Sequence, residues 1–99
     1  MMNTQRTPAF YMANLGAEVS RALSSKESGD VEGAKEAIAR GLLIIEKVLS
    51  FDEMKSRSKE IDILKSVLEN ITKPNFSSSE SQNLKSYFYP FASRIIALS

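Results

Sequence analysis

The sequence predicts an all-α protein, a compact antiparallel bundle of four helices. Two observations carry that reading. Apolar residues recur at three- and four-residue spacing in four successive segments, the period of one helix face. Each segment is preceded by residues that start helices: Thr7-Pro8, Asp30, Ser50 and Ser79. The 99 residues are 42% apolar and 25% charged, which is the composition of a globular domain. They are read as a single domain spanning 1–99, with residues 1–7 flexible ahead of the first helix.

The first helix is expected over about 8–28. Thr7 offers a capping oxygen, and Pro8 suits a first turn whose N–H groups have no partner anyway. Met12, Leu15, Val19, Ala22 and Leu23 then fall on one face, and Gly29 closes the helix by tolerating a left-handed backbone. The second helix, 31–49, begins at Asp30, whose carboxylate suits the positive end of a helix dipole. Its stripe is Ala34, Ile38, Gly41, Leu42, Ile45, Val48 and Leu49, widened by Leu43 and Ile44. That breadth marks it as the central helix, with Ile38, Leu42 and Ile45 fully buried and Glu36 paired to Arg40.

Neither glycine nor proline lies between residues 42 and 73, so phase decides where the second helix stops. At 100° per residue the next apolar set (Met54, Ile61, Leu64, Leu68, Ile71) points roughly 120° away from the stripe before it. One straight helix cannot aim both at one core. A turn near 49–52 is expected, with Ser50 and Glu53 as a capping box and a third helix over 51–72. Glu53–Arg57 and Glu69–Lys73 are expected ion pairs on it. Lys73-Pro74-Asn75-Phe76 and the serines after it form a loop. Ser79 and Gln82 are a second expected box, opening a fourth helix over 80–98. Its stripe of Leu84, Tyr87, Phe88, Phe91, Ile95 and Leu98 keeps phase across Pro90, so a kink is expected there rather than a break.

Composition excludes several function classes. There is no cysteine and no histidine, so disulfides, thiolate sites and imidazole chemistry are absent. Thirteen basic residues balance twelve acidic ones, evenly along both halves, which leaves no basic face for nucleic acid. Lys55, Arg57 and Lys59 are read as a solvated helix face. No apolar run reaches a membrane-spanning length, and Met1–Pro8 lacks the apolar core of a signal peptide. A cytoplasmic protein without membrane contact is expected.

Gly29-Asp30-Val31-Glu32-Gly33-Ala34, with Gly41-Leu42 after it, resembles the second half of a tetratricopeptide repeat. The first half departs from that pattern: Leu15-Gly16 lies thirteen residues before Gly29 instead of about seven, and no second copy follows. The pair of helices is read as an ordinary helical hairpin, and no function is carried over. Glu18 and Arg21, one turn apart beside Gly16, form a candidate acid–base pair, though i,i+3 pairs of this kind are common on helices.

Five of the eight aromatic residues fall between 76 and 91, in a stretch with few charges. The stripe through Phe88 and Phe91 suits the core, whereas Tyr89 and Ile96 point elsewhere. Tyr89, Ile96 and Phe76 are therefore the candidate partner contacts. The expected function is non-enzymatic: a protein-interaction or self-association module, binding an unknown partner or itself and needing no cofactor. The alternative is a helical-bundle enzyme that handles a metal or small molecule with carboxylates alone.

Overall fold

The structure, a computed structural model, describes the backbone of residues 7–98 and the side chains of residues 7–88. Thr7 is extended and its Oγ1 accepts the Phe10 N–H at 3.1 Å, which starts α1 (Pro8–Glu27). Gly29 has φ +81°, the left-handed conformation that ends α1 without a steric penalty. Asp30 Oδ1 then accepts the Gly33 N–H at 2.9 Å, opening α2 (Val31–Leu49). The hairpin read from Gly29-Asp30 is thus formed by the residues expected to form it.

The chain turns at Ser50 and Phe51, where the change of stripe requires a turn, but the third segment differs from the single helix expected. Asp52–Arg57 is a 3-10 helix, and α3 covers only Ser58–Glu69. Ser50 does not open a capping box. Its hydroxyl donates back to the Lys47 carbonyl and closes α2 instead, leaving the 3-10 helix without a side-chain cap. A serine following a helix can serve either end, and here the preceding carbonyl wins.

The second box forms two residues earlier than expected. Ser77 Oγ accepts the Glu80 N–H at 3.1 Å while Glu80 Oε1 accepts the Ser77 N–H at 3.2 Å. This reciprocal pair satisfies two otherwise free donors. It starts α4 (Ser78–Leu98), which continues as one helix across Pro90. Lys26 anchors the turn before it, donating to the carbonyls of Lys73 (3.3 Å) and Phe76 (3.5 Å).

Among the described residues, α1 packs along α2 and α4, and α2 packs along α3. The central helix is therefore α1, a correction to the reading that gave α2 this place. Met12, Leu15, Val19, Ala22 and Leu23 of α1 are all buried, each large one worth roughly 1.5–3 kcal/mol relative to exposure. The buried line of α2 is Ala34, Ala37, Gly41, Ile45 and Val48. Only Ile45 of the three residues expected to be fully buried is so; Ile38 and Leu42 are half-buried and Leu43 is 68% exposed. The cause is the small line itself. Alanine and glycine let α2 press close to its neighbours, so larger side chains on either flank remain at the edge of the contact.

Gly16 and Gly41 mark two places where neighbouring helices pack tightly. A methyl on Gly16 would stand 2.8 Å from Phe88 Cβ and 3.0 Å from its Cγ, so α4 lies directly on the α1 backbone there. At Gly41 a methyl would meet Leu68 Cδ2 at 3.0 Å and Leu15 Cδ1 at 3.3 Å, where α1, α2 and α3 converge.

The two sites differ in what must give way, which yields a test. Gly16→Ala pushes on the root of Phe88, which cannot swing aside. It is expected to destabilise by about 1–3 kcal/mol, despite the ~1 kcal/mol that alanine gains over glycine within a helix. Gly41→Ala meets only the far ends of two leucines and should change stability by less than about 1 kcal/mol. Denaturant midpoints at unchanged m-value compare the two. Equal effects would mean that Gly16 does not set the α1–α4 separation.

Candidate functional site

α3 and α4 each turn one line of residues toward the other: Glu60, Ile63, Leu64 and Val67 from α3, and Glu80, Asn83, Leu84 and Tyr87 from α4. Both lines have the spacing i, i+3, i+4, i+7, so each wall is two helical turns long. Leu64 and Leu84 belong to the core as well and form the floor. The walls do not close over them. An open, mostly apolar groove of about 350 Å³ remains, and Ile63 on its lip is 66% exposed.

One end of the groove is tied by three polar side chains. Arg57 closes a two-pronged contact on Glu60, Nε to Oε1 at 2.9 Å and Nη2 to Oε2 at 2.8 Å. The Tyr87 hydroxyl donates to Glu60 Oε2 and accepts from Arg57 Nη2 at 3.3 Å. A short 3-10-to-α3 step brings Arg57 within one turn of Glu60, and Tyr87 arrives from α4, 27 residues later. The hydrogen bonds from Arg57, then from Tyr87, hold the Glu60 carboxyl down at about 2. Burial first, then its bond to Glu60, pushes the Tyr87 phenol up to about 12. This cluster links α3 to α4 at a point where their backbones stand apart. With both carboxylate oxygens of Glu60 occupied, the cluster clamps the two helices together.

At the opposite end lies Glu80, which serves the cap of α4 and makes no ion pair among the described residues.

Phe76, Glu18 and Arg21 lie outside this groove. Phe76 is half-buried and packs against the core, with Lys26 Nζ 4.5 Å from its ring centroid. The side chains of Tyr89 and Ile96 lie outside the described residues. Glu18 and Arg21 do pair, at 3.2 Å, but Arg40 of α2 takes the other oxygen at 3.0 Å. Glu18 is 9% exposed, and it ties α1 to α2. Arg40 thus pairs across helices instead of with Glu36. Arg57 likewise takes Glu60 in place of Glu53, and α3 ends before Lys73 can reach back to Glu69. Among the described residues no three acidic groups converge as a metal site would require.

Ile63 and Val67 lie outside the α3 stripe expected from sequence, and their four-residue spacing marks a second apolar line. Nothing in the sequence joins Glu60 to Tyr87.

The clamp makes a pH prediction. Glu60 ionises near 4.5 when unfolded and near 2 when folded. Its contribution to stability is therefore present above pH 4.5 and lost as pH falls toward about 2. Tyr87 is displaced the other way, from 10.0 to about 12. Its contribution is complete below pH 10 and lost as pH rises toward about 12. Ultraviolet titration of the folded chain and of Tyr87→Phe should differ by one phenol ionising near pH 12. A difference centred on pH 10 would show that the clamp does not hold in solution.

Comparison with protein-family models, with curated proteins and with solved structures finds no match.

Proposed function

We propose that this chain is a non-enzymatic interaction module that docks a partner protein in the groove between α3 and α4. The exposed apolar groove is the observation that carries the reading. Its lip residue Ile63 is as accessible as a surface lysine would be, yet it adjoins Val67, Leu64, Leu84 and the ring of Tyr87. A continuous apolar recess of this kind loses free energy to water until something covers it. Tyrosine at its end suits an interface, offering an apolar ring beside a polar tip.

The carboxylate-enzyme alternative draws no comparable support. Glu18 and Glu60 sit in the polar clusters that catalysis would need, and guanidinium groups already hold their oxygens.

Two equally exposed residues supply the test. Leu43, at 68%, is on the outer face of α2, whereas Ile63, at 66%, is on the groove. A photoreactive benzoylphenylalanine at position 63 should crosslink a defined partner protein in living cells. The same group at position 43 should not, and adding Val67→Arg should abolish the crosslink at 63. Crosslinking that is equal at both positions, or that survives Val67→Arg, would refute the docking role.

A further inference from the structure

We infer that the groove takes one amphipathic α-helix from another protein, with apolar residues at i, i+3 or i+4, and i+7, and with a lysine or arginine placed against Glu80. This rests on the docking role proposed above and adds the chemistry of the occupant.

The geometry supplies the helix. Because α3 and α4 run antiparallel and Glu60 meets Tyr87 at one end, Val67 and Glu80 face each other at the other end, seven residues along each helix. That length is about 10 Å, two turns of a third helix lying in the slot. Such a helix buries one stripe of three or four side chains, the usual mode of helix-in-groove recognition.

Charge supplies the polarity. Among the described residues, two of those lining the groove are carboxylic acids and none is a lysine or arginine. Glu60 is already matched by Arg57, so its end is electrically satisfied. Glu80 has no cation within ion-pair distance among the described residues. Among the described residues, the groove charge that no cation matches is thus negative and lies at one end. A cation on the incoming helix complements it there and fixes which way that helix runs.

A second copy of the chain is a poorer occupant. Among the described residues its large exposed apolar side chains are Val31, Leu43 and Ile63. Val31 and Leu43 share α2 but stand twelve residues apart, and Ile63 already belongs to the groove. Neither helix carries three such exposed side chains in line. Two grooves placed face to face would also bring Glu80 of each copy toward carboxylates of the other.

A display library of random 16-residue peptides, selected on the full chain, tests the inference. Recovered peptides should carry large apolar residues at helical spacing, with lysine or arginine well in excess of aspartate and glutamate. Ile63→Glu should weaken them at least tenfold. Glu80→Gln is the informative variant, because glutamine can still complete the capping box while removing the charge. It should weaken basic peptides about two- to fivefold, the effect of one exposed ion pair, and selection on it should lose the cation preference while keeping the apolar spacing. Peptides with extended rather than helical spacing, binding indifferent to Ile63→Glu, or a cation preference that survives Glu80→Gln would overturn the inference. So would a dimer in sedimentation that dissociates on Ile63→Glu. The crosslink at position 63 would stand or fall separately, so loss of the helix inference leaves the docking role to its own test.

Discussion

The contact between Gly16 and Phe88 fixes the position of α4, and most of the molecule's surface follows from it. With no Cβ on Gly16, the root of Phe88 rests on the α1 backbone. α4 is held there at one level and at another by Lys26, which grips the turn leading into it. α3 is anchored on the other side of the bundle, where Leu68 enters the notch at Gly41. Each helix is thus committed to a different neighbour, α4 to α1 and α3 to α2. Neither can move across to close the gap between them without leaving its notch. The groove is a consequence of two close packings elsewhere, and Ile63 is exposed because the space it would fill lies between helices already held apart.

Two arginine–carboxylate clusters use similar chemistry for different ends. Glu18 is nearly buried with a guanidinium on each oxygen, one from its own helix and one from α2. A buried carboxylate left without partners would be costly, so the arginines make the small-residue contact between α1 and α2 tolerable for a charge. Glu60 is more open, and its cluster spans a gap instead of sealing a contact. The hydrogen bond from the Tyr87 hydroxyl to Glu60 ties the two walls together at one end of the groove. That leaves Glu80, at the other end, as the groove carboxylate with no cationic partner among the described residues.

Local chemistry was readable where one residue had one possible role. Thr7-Pro8 could only start a helix, and Gly29-Asp30 could only end one and begin another. The change of apolar phase after Leu49 located the turn with no breaker residue to mark it. Reading failed where a residue had two roles open to it. Ser50 could cap the helix behind it or the one ahead, and five serines between 77 and 86 offered several boxes, of which Ser77 with Glu80 formed. Burial failed for a different reason. Counting apolar residues around α2 ranks it first, but the count is blind to size. A line of alanine and glycine draws a neighbour close and strands the leucine and isoleucine beside it.

The groove was half legible, and the half that was missed shows what a stripe cannot encode. A helix that packs on one side needs a single apolar line, and Ile61, Leu64 and Leu68 already supply it for α3. Ile63 and Val67 make a second line about 110° around the helix; Val67 still packs partly against the core, whereas Ile63 is 66% exposed. On a short, otherwise charged helix, an exposed Ile63 with Val67 beside it exceeds what one packed face needs. Their spacing is therefore the feature that a partner would explain and that the bundle does not. The clamp beside them has no such signature, since Glu60 and Tyr87 are brought together only by the path of α3 and α4. Sequence periodicity can point to an unpaired face, but the polar groups that bound and orient it become visible only when distant helices are placed side by side.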